Sequence, residues 1–312
     1  MIIVGGENLI DLVQGEPAPN GLPQFTAAPG GSQYNVAMAL GRQKAAVSYL
    51  TPISTDKLGD LLAETLEASG AQIASARVDA PSSLAVVTLE NGQPSYQFYR
   101  ENTAERLVTA QSLAASMPTD TRLFQLGGLS IIHGDDAGIW TQLFRAKSDA
   151  GLFCALDPNV RWSFVRDPDA YRARMEQLFA ASSLIKLSDE DCELLFPGQD
   201  MHAVCQRLFA DAERCQLLVL TQGAKGAAAF HASGEQFVPA VKVEQVADTV
   251  GAGDTFMATL LRQCDEVLAA GGSVSGLDAG QVERMLAQAA KAAAINCTRT
   301  GCNPPTLDEL GA

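Results

Sequence analysis

The residues best suited to chemistry sit in DTVGAGDTF, Asp248 to Phe256, where two glycines and two aspartates fall within seven positions. The following FMATLLRQ reads as a helix, so the N–H groups of Ala252, Gly253 and Asp254 would leave its N-terminus, where a phosphoryl group can bind. The helix dipole favours the ionised form of Asp254, which a general base needs before it takes a hydroxyl proton. GAGDTF is neither a GxGxxG dinucleotide fingerprint nor a GxxxxGK[ST] loop, and the plainer reading is a Gly-rich entry into a capped helix.

Three more stretches offer polar groups beside predicted strand ends. GGENLIDLV sets Asp11 just past a first strand, and in parallel α/β sheets ligands gather at carboxyl strand ends. In PGGSQYNVAMALGR, Gly30 and Gly31 allow close backbone approach, and Asn35 carries both donor and acceptor for a polyol. DPNVRWSF follows the strand LFCAL and would line one side with Asp157, Asn159 and Arg161 if extended. For each, a turn, cap or loop role is the bland alternative.

The elements that must position these groups follow an α/β rhythm. Strand-like runs at 2–6, 47–54, 123–128, 152–159, 184–188 and 217–223 alternate with amphipathic stretches such as DKLGDLLAETLEASG, with leucines 58, 61, 62 and 66 on one face and Gly70 at the C-terminal cap. QVERMLAQAAKAAAIN repeats that spacing at 282, 285, 286, 289, 290 and 293. Such alternation predicts a mainly parallel central sheet covered by helices on both faces. Residues 12–29 and 81–103 break the rhythm and read as strands and turns, with NG at 91–92 as a hairpin signal. The expectation is one domain over 1–312 with a small β-sheet lid built from these two excursions.

Composition narrows the partners. The chain of 312 residues has 22 Lys and Arg against 36 Asp and Glu, a formal charge of −14. That balance opposes nucleic-acid and anionic-membrane binding. Seven scattered cysteines without a CxxC pair read as reduced thiols of a cytoplasmic protein. No apolar run reaches the about 20 residues of a membrane helix.

Together, PGGSQYNVAMALG, the D-x-x-G element Asp56–Gly59 and DTVGAGDTF resemble the three signatures of the ribokinase-like (PfkB) carbohydrate kinases, in order and at wide spacing. The resemblance implies ATP-dependent phosphorylation of a sugar hydroxyl, aided by Mg²⁺, on a ribokinase-like three-layer core. It makes Asp254 the base and Gly251, Ala252 and Gly253 the anion hole. Asp11, Gly30, Gly31 and Asn35 would hold the sugar. Lys186, Ser188, Thr221, Gly223, Gly226 and Asn296 would line the nucleotide site. The family's N-x-x-E element is replaced by Ser188 and Asp191, so Asp191 is expected to reach Mg²⁺ only indirectly. Asp248, the Val250 carbonyl and residues 298–302 could form a monovalent-cation (K⁺) site. Lids of the family often pair between subunits, so a homodimer through residues 84–100 is expected. The motifs look most like the fructokinase branch. The alternative is 2-keto-3-deoxygluconate kinase, because Arg100 and Arg161 could grip a carboxylate. A catalytically silent sugar- or nucleotide-binding regulator is the reading from another class.

Overall fold

The computed structural model describes residues 1–90 and 93–311, so the NG at 91–92 lies outside the described residues. The chain begins with strand β1 (Ile2–Val4), β2 (Leu9–Gln14) and β3 (Phe25–Gly30), then helix α1 (Ser32–Arg42), β4 (Val47–Tyr49), α2 (Lys57–Ala68) and β5 (Gln72–Ile73). The hairpin strands β6 (Leu84–Glu90) and β7 (Gln93–Tyr99) precede α3 (Ala110–Ser116), β8 (Leu123–Gly127), α4 (Asp135–Asp149), β9 (Phe153–Asp157) and α5 (Pro168–Ala180). Next come β10 (Leu184–Ser188), α6 (Asp189–Leu195), α7 (Met201–Asp211), β11 (Leu217–Thr221), β12 (Gly226–His231) and β13 (Gly234–Pro239). The chain closes with α8 (Ala252–Ala269), α9 (Ala279–Cys297) and α10 (Leu307–Leu310).

Among the described residues, the large sheet has the order β13-β12-β11-β10-β9-β8-β1-β4-β5. Its pairs are parallel except β11–β12 and β12–β13. Strands buried on both faces should be apolar throughout, and β11 shows why: Leu217 and Val219 join the core under α1, α2, α8 and α9, while Leu218 and Leu220 join the one under α4, α5 and α7. The three-layer α/β expectation is met. The chain leaves β1 for β4 and β5, then crosses to β8 on the other side of β1. Ligands of open α/β sheets bind outside the carboxyl strand ends at such a reversal.

A second sheet, β3-β2-β6-β7, is mixed: β2 and β6 run parallel, the other pairs antiparallel. Asp11 pairs with Ala28 and Ala85, and Ala85 with Phe98, so Asp11 and Phe98 share one face of it.

The D-x-x-G element has a mechanical role in the fold. Asp56 caps α2 by accepting the Gly59 N–H at 2.7 Å and ties down Ser82 through its N–H (2.8 Å) and hydroxyl (2.7 Å). A Cβ at Gly59 would collide with the Ser54 carbonyl.

Candidate active site

Asp254 lies in the first turn of α8, whose N-cap, Gly251, is left-handed at φ 75°. A Cβ there would meet the Cys302 thiol, so only glycine lets the chain turn into α8 at this point. In that first turn the Gly253 and Asp254 amides have no carbonyl one turn back to reach. The Ala252 N–H is less free, since it lies 3.2 Å from the Thr249 carbonyl. A Cβ built on Gly253 would have the Lys186 Nζ, at 3.7 Å, as its nearest neighbour. The space above the N-terminus of α8 is therefore bounded by an ammonium group, a good setting for a phosphoryl group.

The Asp254 carboxylate is held from α1. Ser32 Oγ donates to Oδ1 at 2.7 Å and Asn35 Nδ2 to Oδ2 at 2.8 Å. Burial raises its pKa above the ordinary carboxylate value, against those two hydrogen bonds and the charges of Lys186 and Arg161. The dipole argument from sequence favoured ionisation alone, and desolvation outweighs it.

Lys186, in the middle of β10, forms an ion pair with Asp157 at the end of β9, 2.8 Å apart, both buried. Burial works against the Lys186 charge, yet Asp157, Asp191 and Asp254 hold its pKa above the ordinary value. Burial lifts Asp157 to about 6 despite Lys186, so both partners are charged at neutral pH. Asp157 Oδ1 has no partner among the described residues.

Asp11 stands on β2, against the glycine pair that precedes α1. Burial lifts its pKa to about 6. Its Oδ2 occupies the place a side chain would take on Gly30, and a Cβ on Gly31 would lie 2.7 Å from the Glu7 carbonyl. The two glycines are thus demanded by a carboxylate and a carbonyl packed against them. Arg161 is exposed and donates to the Asn159 and Val160 carbonyls at 3.4 and 3.2 Å, while its charge is felt at Asp254 and at Tyr96.

Thr221 ends β11, its hydroxyl 3.4 Å from the Leu187 carbonyl, and Gly223 follows in open space at φ 52°. Ser188 and Asp191 form a capping box on α6, and Asp191 also accepts the Val160 N–H at 2.7 Å. Asp248 accepts the Val250 N–H at 3.0 Å and the Gly301 N–H at 2.9 Å.

Two expectations are corrected. Arg100 does not face the site: it is buried and forked onto Glu105 at 2.8 and 3.0 Å, with Leu129 O at 3.4 Å. A desolvated guanidinium needs such a partner, and Glu105 fills the role assigned to substrate. Asn296 is fully buried, donating to the Val250 carbonyl at 2.7 Å and accepting the Asn303 N–H at 2.9 Å, so both amide ends are spent inside the loop. Gly226 opens β12 where a side chain would collide with the Val238 carbonyl, so the β12–β13 pairing alone already demands glycine there.

Two polar groups escaped the sequence reading. Ser32, the residue after the glycine pair, touches Asp254, and Glu7, three residues beyond β1, is buried beneath α1. A Gly-Gly-Ser start to a helix could have pointed to the first; a glutamate three residues after a buried strand, to the second.

The pfkB family carbohydrate kinase model matches residues 1–309. A fructokinase of Rhizobium leguminosarum bv. trifolii is 35% identical over 264 residues, covering 84% of this chain and 78% of that protein. Fructokinase-2 of Oryza sativa subsp. japonica is 32% identical over 269 residues, 84% of this chain and 79% of that one. Among solved structures, a fructokinase with bound ATP from Xylella fastidiosa aligns with a TM-score of 0.86 at 27% identity, covering 99% of this chain and 96% of the other. The site described above therefore sits in a phosphotransferase acting on a sugar hydroxyl: the chain belongs to the pfkB family of carbohydrate kinases.

Proposed function

We propose that the protein transfers the γ-phosphoryl group of ATP to a hydroxyl of fructose, with Asp254 as the base. The observation that carries this reading is the meeting of a buried carboxylate, an unpartnered helix N-terminus and an ammonium group within one pocket wall. The sugar would lie between Asp11 and Asp254, with Asn35 Oδ1, a buried acceptor lacking a partner among the described residues, turned to a sugar hydroxyl. As that hydroxyl attacks the γ-phosphorus its proton passes to Asp254. The Gly253 and Asp254 amides and Lys186 stabilise the charge on the moving group, which is what phosphoryl transfer asks of a protein. Thr221 and Gly223 would border the nucleotide.

Mg²⁺ fits the residues present. Asp157 Oδ1 is an orphaned, buried oxygen near two further carboxylates, and Mg²⁺ typically takes one or two carboxylates with waters and substrate phosphates. Asp157 would hold it, with Asp191 acting through water; when bound, it neutralises phosphate charge. The Asp248 loop is different. Each Asp248 oxygen and the Val250 carbonyl accept a single hydrogen bond and keep a lone pair, so these atoms would hold K⁺, and no step is assigned to it.

Fructose is favoured over 2-keto-3-deoxygluconate because the Arg100 guanidinium is committed to Glu105, leaving Arg161 alone to meet a carboxylate. The fructokinase relatives point the same way. The small sheet would serve as a lid that keeps water from the phosphoryl group. Exposed apolar groups on both of its faces, Val13 and Tyr96 on the Asp11 face and Phe25 and Tyr99 on the other, support a homodimer through that sheet. Seven free cysteines suit a reducing cytoplasm, and no helix of the described residues is long and apolar enough to cross a membrane. Coupled ADP release across a panel of sugars tests the substrate: fructose should give the highest kcat/KM. A preference for the keto acid would replace fructose and leave the kinase standing.

A further inference from the structure

Asp254 is held by Ser32, a residue to which the sequence reading gave no role. Ser32 opens α1 and is itself pinned: its N–H donates to Glu7 Oε1 at 2.9 Å, while Glu7 Oε2 accepts the Leu129 N–H at 2.9 Å. Glu7 is buried between β1, α1 and the turn after β8, and a Cβ on Gly128 would collide with its carboxylate. It thus clamps the start of α1 to the reversal point of the sheet. The Gln33 amide nitrogen lies 3.4 Å from Ser32 Oγ, a long contact in which that oxygen is the acceptor, and the single hydroxyl proton goes to Asp254 Oδ1.

We propose that Ser32 is a positioning residue for phosphoryl transfer, fixing Asp254 through its hydroxyl from a backbone that Glu7 holds in place. With Oδ1 tied to Ser32 and Oδ2 to Asn35, the carboxylate plane has one orientation. Loss of one tie frees rotation about the terminal torsion, which is soft in aspartate. It also removes a hydrogen bond that favours the charged form. The other groups facing Asp254 are Asn35 on α1, Asp157 and Arg161 at and after the end of β9, Lys186 on β10 and Cys302 beyond α9. All of these stay in place when only Ser32 changes.

The inference rests on Asp254 being the base, so the experiment compares Ser32→Ala, Ser32→Thr and Asp254→Asn in the full-length protein with fructose and ATP. Ser32→Ala keeps a good helix former at the first helical position, and its melting temperature should match the parent. Its kcat should fall roughly ten- to a hundredfold, the range a hydrogen bond to a charged group commands. KM for both substrates should hold, and the acid limb of the kcat/KM profile should move to higher pH. Ser32→Thr should restore most of the rate. An unchanged kcat in Ser32→Ala beside a crippled Asp254→Asn would overturn this inference alone, as would a threonine variant as slow as the alanine one. A normal kcat in Asp254→Asn would overturn the base assignment and this inference with it.

Discussion

The two walls of the pocket are held by opposite means. On the α8 side, Asp254, Lys186 and Asp157 are buried and tied to one another or to α1 at 2.7 to 2.8 Å. On the small-sheet side, Asp11 stands on a four-stranded sheet where Val13, Phe25 and Tyr96 are exposed. Catalytic groups must be fixed before the transition state forms, because orientation costs are met in folding rather than in each turnover. Groups that choose and enclose a substrate need room to close. On the proposed reading, rate rests with the first wall and selectivity with the second.

The largest expected effect breaks the buried wall at its centre. Asp254→Asn keeps the size of the side chain and loses the proton acceptor. Turnover should drop by at least the about 10² that general-base catalysis contributes, while ATP binding by calorimetry stays normal. Residual turnover within a few-fold of the parent would move the base elsewhere.

The second prediction separates stability from rate on the same wall. Lys186→Met leaves Asp157 buried without its cation, and breaking such a pair costs about 3–5 kcal/mol. The cost is limited because Asp157, already lifted to about 6, can take up a proton. Unfolding in urea should therefore show Lys186→Met as weak at pH 8 and partly recovered at pH 5. The double change Lys186→Met with Asp157→Asn should regain stability at pH 8 without regaining kcat. If the double variant recovers both, Lys186 serves folding and not the moving phosphoryl group.

Legibility in the sequence followed the same division. The buried strands were readable because both faces are apolar, and β10 matches its sequence range of 184–188 residue for residue. The glycine signatures were readable because Gly30, Gly31 and Gly251 each answer a steric demand that no other side chain meets. The β12–β13 hairpin was missed: GAAAFH carries little β propensity and reads as helix until paired with its neighbour. Ser32 and Arg100 fail for another reason. Ser32 meets its carboxylate 222 positions away, and only the folded sheet brings them together. Arg100 finds Glu105 five residues on, across a turn that obeys neither helix nor strand spacing. Its sequence neighbours, Phe98 and Tyr99 on β7, gave no hint that the guanidinium points into the protein.

The smallest effect probes the outer wall through Asp11. Burial lifts its pKa to about 6. An ionised carboxylate accepts hydrogen bonds from sugar hydroxyls better than a neutral one, so a bound sugar favours the charged form and its affinity should weaken as pH falls through about 6. KM for fructose should rise several-fold between pH 7.5 and pH 5, within the roughly tenfold that about 1.4 kcal/mol represents. KM for ATP should move less, because Asp11 stands on the small sheet, whereas β10 and β11, whose ends would border the nucleotide, belong to the large one. Asp157 also titrates near 6, but it pairs with Lys186 beside α8, so its protonation should appear in kcat rather than in sugar affinity. Asp11→Asn separates the two. It should raise KM for fructose at pH 7.5 to about the level the parent reaches at pH 5, and flatten the KM profile while leaving the kcat profile sloped. A variant whose KM still climbs on acidification would shift the sugar contact from Asp11 to another titrating group.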